Sequence, residues 1–411
     1  MRSERRGIAV LVANSGLMSA GFFMLIPLLS VHLTRDLGFS GAAAGAVLAV
    51  RQLTQQGLML FGGALADRIG YRPVIALGML VRALGFFGFA LGDSLPVILL
   101  SAIVAALGGA LFEATGKAAL ASLAPPAERP RLFSLSALAG GLGSALGPLI
   151  GVALLPLSFH WVGLAAGSFF FVAFALSAAL LPPLAGPASG QETPSFGRTL
   201  RLASRDRTFL TFTLLLTGFW LLYNQLYISL PLRAVQVTGS AEIVGVLYTV
   251  AALAGLALQY PIVRLASARL PPIAGVAAGV AAMGGGLGLM AFAGAPAMPG
   301  LPGPVPAPEL AIPVMLAAVV IFAAGRALAE PMRDVATAAL APPHALAAYF
   351  GISYLALAVG GSAGNYLGGW LFDISTATGL YALPWIGFAL FGVAMAGGLF
   401  RFSRTTGRTG D

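Results

Sequence analysis

Residues 109–151 read GALFEATGKAALASLAPPAERPRLFSLSALAGGLGSALGPLIG, and 217 positions downstream residues 326–368 read RALAEPMRDVATAALAPPHALAAYFGISYLALAVGGSAGNYLG. The two stretches align without a gap and agree at 16 of 43 positions, where composition alone gives roughly one in ten. This is an internal repeat. Glu113 and Glu330 are among the identities, each inside an apolar run and each 11 residues before an Ala-Pro-Pro turn. A carboxylate in a hydrophobic segment is costly unless it faces a protein interior or a water-filled cavity, so its repetition asks for a functional reason.

The rest of the composition says what kind of hydrophobic segment this is. Of 411 residues, 58% are hydrophobic and 9% charged, with a mean hydropathy of +0.91. One soluble core cannot hide so much apolar surface, which places the chain in a bilayer. About 20 apolar residues cross the hydrocarbon layer as a helix, and helices satisfy their own backbone groups there. With no cysteine, disulfides, thiol catalysis and thiolate metal sites are excluded. The three histidines, His32, His160 and His344, lie outside the apolar runs and disfavour a histidine metal site.

Proline, glycine and charge divide the chain into twelve apolar spans, at residues 8–33, 42–66, 73–92, 95–123, 132–155, 159–182, 208–232, 242–265, 272–295, 310–338, 346–371 and 381–400. The first is too long for a signal-peptide core and reads as a retained helix. The one long polar segment, with Pro182, Pro183, Pro187, Pro194 and four arginines up to Arg207, reads as a linker whose end suits a surface amphipathic helix. The expected organisation is an N-terminal six-helix bundle over 1–182, a cytoplasmic linker over 183–207 and a C-terminal six-helix bundle over 208–411. Placing both termini in the cytoplasm puts seventeen arginines on that side, against Arg35 and Arg233 outside. Arg51, Arg82, Lys117 and Arg326 then fall within the membrane. A repeat six helices apart returns in the same orientation, which is the arrangement of two parallel halves with a binding site between them. The basic charge of +9 sits at helix ends rather than on a phosphate-binding face, so nucleic acid is not an expected partner.

Several motifs sharpen this. Gly63-Ala64-Leu65-Ala66-Asp67-Arg68-Ile69-Gly70-Tyr71-Arg72-Pro73 closes span 2 and resembles the helix 2–3 loop motif of the major facilitator superfamily. The resemblance implies a conformational latch on the cytoplasmic side built from Gly63, Asp67, Arg68, Gly70 and Arg72, with the acid meeting the positive end of a helix; a solvated turn with a capping Asp is the plain alternative. Gly143, Gly147, Pro148 and Gly151 on span 5 are similar to part of the helix 5 motif of drug–proton exchangers, although Ser134 stands where that family has glycine. Individually they are read as helix-packing residues. Taken with Arg51 to Gly57, Gly78 to Arg82 and Gly109 to Lys117, these features resemble the multidrug efflux branch of the superfamily, in particular the MdtH-type multidrug resistance proteins. What the resemblance implies is an all-α integral membrane protein of twelve transmembrane helices in two pseudo-symmetric six-helix bundles, in a bacterial cytoplasmic membrane.

Glu113 lies about 18 Å from Pro125 along a helix, near mid-membrane, with Lys117 one turn on and on the same face. Arg326, Glu330 and Asp334 make a matching ladder in the second copy, with Pro331 set to kink the helix. Proton coupling is expected from Glu113, Lys117, Glu330 and Asp334. Structural ion pairs, Glu113 with Lys117 and Glu330 with Arg326, are the alternative, and Glu330 is the one read as nearer to a salt-bridged support. Arg51, Gln52, Gln55 and Gln56 form a polar stripe, of which Arg51 either lines the path or pairs with Glu113. Arg82 is read as structural, snorkelling or bonding helix ends, since helix 3 is peripheral in that fold. Trp220, Tyr223, Asn224 and Tyr227 fall on one helical face suited to amphipathic organic molecules. The expected substrate cavity is Asn14, Met18, Arg51, Gln52, Gln55, Trp220, Tyr223, Asn224, Tyr227, Arg326 and Tyr354.

No Walker-type phosphate loop, nucleophile elbow or metal-ligand cluster is present in the sequence. The expectation is a secondary transporter and not an enzyme: a monomer taking a small-molecule substrate, with no cofactor and with the proton as coupling ion. Export of a specific metabolite, sugar or lipid, and a non-transporting receptor or assembly partner, are the competing readings.

Overall fold

The computed structural model describes residues 2–123, 128–183, 204–293, 308–342 and 346–407. Helix is the only regular structure among them. In chain order the α-helices are α1 (Arg2–Val31), α2 (Gly41–Ile69), α3 (Tyr71–Gly88), α4 (Leu95–Leu123), α5 (Arg129–Leu154), α6 (Phe159–Leu180), α7 (Arg207–Asn224), α8 (Ser229–Thr238), α9 (Glu242–Ser267), α10 (Pro272–Leu289), α11 (Pro308–Leu340), α12 (Leu346–Thr378) and α13 (Leu383–Gly407). A π-helical turn, His32–Asp36, extends α1, and a 3-10 turn, Met290–Phe292, extends α10.

Ten helical segments among the described residues are long and apolar enough to cross a membrane. α2 and α12, with 29 and 33 residues, lie outside that set, so the expected twelve spans are matched by ten clear ones. Large apolar side chains stand on the outside of the helices, Phe61, Leu214 and Tyr260 being 69%, 68% and 73% exposed. Hydrocarbon, not water, is the solvent for such a surface.

One span is not a single helix. The expected run 208–232 breaks into α7 and α8 over residues 225–228. Pro231 has no N–H for the carbonyl of Tyr227, and the buried Gln225 closes the gap. Its Nε2 donates to the carbonyls of Leu221 and Gly364, at 2.9 and 3.0 Å, and its Oε1 accepts from Ser229 Oγ at 2.6 Å.

The chain divides into two compact units. The first holds Met1–Leu37, Val47–Glu192 and Val244–Thr249; the second holds Gly38–Ala46, Thr193–Ile243 and Val250–Asp411. Of the linker expected over 183–207, residues 184–203 lie outside the described residues. In the first unit α1 packs on α5 and α6, and α3 on α4 and α6; in the second α7 packs on α12 and α13, and α10 on α11 and α13.

The same glycines make these contacts in both units. A Cβ on Gly143, Gly147 or Gly151 of α5 would run into the backbone carbonyls of Gly16, Ala20 and Met24 of α1. Exactly 217 positions later, Gly360 and Gly364 of α12 lie against the carbonyls of Thr217 and Leu221 of α7, and Gly368 against the Gln225 side chain. Small residues one turn apart let two backbones close to van der Waals contact, which is the source of helix attraction where lipid removes the hydrophobic drive. Gly78 and Gly85 of α3 sit in the same way against α4, as Gly279 and Gly286 of α10 do against α11.

The turn between α2 and α3 is one residue, Gly70, with φ 92° and ψ 158°, a region that side chains other than hydrogen do not enter without strain. Within the second unit, Asp373 of α12 accepts from the first two N–H groups of α2, Gly41 at 2.7 Å and Ala42 at 2.8 Å. This is a cap for donors that a helix start leaves unpaired.

Gly364→Val and Gly147→Val should each lower the thermal unfolding midpoint of the detergent-purified protein, by the equivalent of about 1–3 kcal/mol for an overpacked contact. Gly63→Ala should not lower it, because a Cβ at Gly63 meets nothing within 4 Å.

Candidate functional site

The polar cluster of the first unit is built on α2, α3 and α4. Arg51, Gln52, Gln55 and Gln56 recur on one face of α2 and are 4–7% exposed. Arg51 Nη1 donates to Gln55 Oε1 at 3.1 Å and Nη2 to Gln52 Oε1 at 3.0 Å, while its guanidinium lies 5.0 Å from the ring centre of Phe22. Gln55 Nε2 donates to Glu113 Oε2 at 2.8 Å. Arg51 thus reaches the carboxylate through one amide. Glu113 lies ten residues before the end of α4, about 15 Å along the helix, and is half-buried.

Beside it opens a cavity of about 280 Å³, lined by Glu113, Lys117 and Phe112 of α4, Ser15 and Leu11 of α1 and Phe133 of α5, among others. Ser15 and Ser136 close one wall with a 2.6 Å hydroxyl–hydroxyl bond. Gly116 belongs to the lining too, so the α4 wall offers an acid and a base between the apolar side chains of Phe112 and Leu120.

Arg82 departs from the expectation of a snorkelling or helix-end cation. It is 4% exposed and lies 5.7, 5.9 and 5.1 Å from the ring centres of Phe22, Phe86 and Phe170. A ring face offers a desolvated guanidinium a partner in place of water. Gly109 of α4 makes room for it, since a Cβ there would strike Arg82 Nη1 and the Gln55 amide.

The corresponding surface of the second unit is aromatic. Tyr223 and Tyr227 share a 3.4 Å hydroxyl contact, and Arg326 Nη1 donates to the Tyr223 hydroxyl at 3.3 Å. Trp220 packs edge-on against Tyr223, and Arg333 lies 4.9 Å over its ring. The Trp220 indole N–H is buried without an acceptor among the described residues.

The expected Arg326–Glu330 ion pair is not formed; Arg326 turns to Tyr223. An Arg placed four residues before an acid is the weaker order for a helical pair, and the macrodipole favours the reverse. Asp334 does not continue the ladder either, because it bonds its neighbour Arg333 at 2.6 Å and is 53% exposed.

Two further expectations are corrected. Asn14 is fully buried and donates to Ser177 Oγ of α6 at 2.8 Å, so it ties α1 to α6 and lines no cavity. Asn224 is likewise fully buried, accepting from Asn365 Nδ2 at 3.1 Å and donating to the carbonyl of Trp220. Gln52 and Gln55 bond into the Arg51 network. Met18 and Tyr354 are half-buried.

In the loop motif, Arg72 bonds the carbonyl of Ala178 near the end of α6, and Arg68 is exposed. Gly62, not Gly63, makes the close approach, to Ala110 of α4. The side chain of Asp67 lies outside the described residues. Gly143, Gly147 and Gly151 pack α5 on α1, and Pro148 stands inside α5.

A family model described as Major Facilitator Superfamily matches residues 11–305. The chain belongs to the Major Facilitator Superfamily. Its superfamily relatives include the multidrug resistance protein MdtH of Photorhabdus laumondii, 36% identical over 93% of this chain and 91% of its own length. MdtH of Edwardsiella ictaluri is 35% identical over 96% of this chain and 92% of its own. Among solved structures, a POT family transporter in complex with a thioalcohol-conjugated peptide superposes with a TM-score of 0.79 at 16% identity, covering 97% of this chain and 96% of that one. The nucleoside transporter NupG, as a D323A mutant, gives 0.78 at 15% identity, covering 96% and 99%. At those identities the shared property is the fold. As a superfamily member the protein is a multi-pass membrane transporter and not an enzyme.

Residues that sequence reading passed over are Asn365, Gln225 and Ser177, each a polar side chain inside an apolar run. Their position 141 and 139 residues from a partner, as for Asn365–Asn224 and Gln225–Gly364, leaves no local pattern to find. Asn365→Leu would strand the buried Asn224 Oδ1. A loss of about 1–3 kcal/mol, read as a lower unfolding midpoint, is expected.

Proposed function

We propose that this transporter exports amphipathic, drug-like small molecules in exchange for protons by alternating access, with Glu113 of α4 as the proton site. The carrying observation is a half-buried carboxylate on a membrane-spanning helix that forms part of a cavity wall. Its Oε2 accepts from Gln55 Nε2, which ties the carboxyl to the polar stripe of α2. A ligand or a proton entering the cavity meets that oxygen pair. In an antiporter the two compete for it, so binding of one favours release of the other.

The cavity suits an amphipathic guest, with Leu11, Phe112, Leu120 and Phe133 presenting apolar surface around one acid, one base and two hydroxyls. The aromatic face of Trp220, Tyr223 and Tyr227 supplies stacking surface in the second unit, and the unpaired Trp220 N–H a donor. The MdtH names of the relatives support a drug-like substrate class. No prosthetic group enters the scheme: the proton is the coupling ion, consistent with a sequence that holds no Walker-type loop. The site of action is the bacterial cytoplasmic membrane, with twelve spans as two six-helix bundles, a monomer and both termini in the cytoplasm. The distribution of arginines supports that orientation.

Reconstituted protein should move protons against ethidium and other amphipathic dyes. Glu113→Gln should lower coupled proton flux at least tenfold while the protein remains folded. Undiminished coupled flux would remove Glu113 from the role. Orientation is tested separately: with no native cysteine, Arg5→Cys and Arg404→Cys should react with an impermeant maleimide only after the cells are opened.

A further inference from the structure

Gln55 is held at both ends of its amide. The guanidinium of Arg51 has N–H groups and no acceptor, so it fixes Gln55 Oε1 toward itself at 3.1 Å and leaves Nε2 to face Glu113 Oε2 at 2.8 Å. Both bonds are satisfied while Glu113 Oε2 is an acceptor; a proton placed on that oxygen makes it a donor facing Nε2. Gln55 is 7% exposed and Arg51 4%, so water is a poor substitute for either partner. Facing this point are Arg51 from α2, Arg82 from α3, within electrostatic reach of both Arg51 and Glu113, and Lys117 from α4 itself. α1 and α5 contribute the paired hydroxyls of Ser15 and Ser136 to the adjoining cavity.

We propose that Gln55 is an amide relay that passes the protonation state of Glu113 to Arg51. This rests on the reading of Glu113 as the proton site and adds to it the side chain that senses the proton. When Glu113 takes a proton on Oε2 from hydronium, that oxygen becomes an O–H donor facing Nε2 and needs an acceptor. The acceptor that Gln55 can offer is Oε1. Turning the amide over supplies it, and the same movement sets Nε2 against Arg51, donor against donor. Arg51 then lets go of Gln55 and keeps Gln52 Oε1 at 3.0 Å and the Phe22 ring at 5.0 Å. Loss of the proton reverses every step.

The surroundings are cut for such a turn. Gly109 carries no Cβ where one would strike the Gln55 amide. Arg82 Nη1 and Nε, buried on that same patch without a hydrogen-bond partner among the described residues, are donors free to meet a displaced amide oxygen. Gln55 is therefore a positioning residue: it binds neither proton nor substrate, and it decides where the Arg51 guanidinium is anchored.

The test is acid-minus-alkaline infrared difference spectroscopy of the full chain in liposomes, with isotope-labelled glutamine or arginine and no substrate. The parent should show a protonated-carboxyl band together with glutamine-amide and guanidinium changes. Glu113→Gln should lose all three. Gln55→Leu, with the near-isosteric Gln55→Met as a second variant, should keep the carboxyl band and lose the other two. A parent spectrum with the carboxyl band but no glutamine change overturns the relay and leaves Glu113 as proton site, as does a guanidinium change that persists in both Gln55 variants. A parent without a Glu113-dependent carboxyl band overturns the underlying reading and the relay with it.

Discussion

Backbone-to-backbone contact through glycine is the constraint on which the rest depends. Gly143, Gly147 and Gly151 bring α5 onto the carbonyls of α1, and Gly360 and Gly364 do the same for α12 on α7. In lipid, side-chain burial gains little, because the surroundings are as apolar as the core; close packing and internal hydrogen bonds supply the association. Once backbones meet at that distance, polar side chains between helices are cut off from lipid and must find one another. The buried pair Asn224–Asn365 lies on the glycine contact of α7 with α12, and Asn14–Ser177 makes a similar polar tie between α1 and α6.

The two units share this frame and differ in what they put into it. Where the first has Gly109, leaving space for the Arg82 guanidinium, the second has Arg326 itself at the repeated position, bonded to Tyr223. Glu113 has a side-chain donor at 2.8 Å; Glu330 has no ion-pair partner within 4 Å among the described residues, and the nearby Asp334 is taken by Arg333. A common ancestry of the halves is visible in the glycines, and a division of labour in the charges. The first unit carries the polar chain Arg51–Gln55–Glu113, the second an aromatic face rimmed by arginine.

Much of the architecture was legible because it is written in local periodicity. Apolar run length, the repeat offset and the spacing of Gly143, Gly147 and Gly151 depend on residues close in sequence, and each pointed to membrane-spanning, glycine-packed helices. The repeat marks Glu113, and polar residues inside an apolar run mark the stripe Arg51 to Gln56; the two meet across 58 positions. What failed were inferences about which way a lone polar residue points. Asn14 and Asn224 were taken for cavity residues, but a helical face has two neighbours and the partner that decides between them sits more than 100 residues away. Arg82, read as a structural cation that snorkels or bonds helix ends, is instead held inside, because no sequence pattern announces a cage of Phe22, Phe86 and Phe170 drawn from three helices. The break at 225–228 has a local signal in Pro231, which withholds an N–H from the carbonyl of Tyr227.

The central claim is that proton and substrate compete for one carboxylate, and the most direct measurement is the pH dependence of equilibrium binding. For an amphipathic ligand found by thermal stabilisation of the purified protein, the account predicts that Kd falls about tenfold for each unit of rising pH while the free protein holds the Glu113 proton, and levels off once that proton is gone, as linkage requires for one proton displaced per ligand. A Kd that does not change with pH across the whole stable range would contradict it.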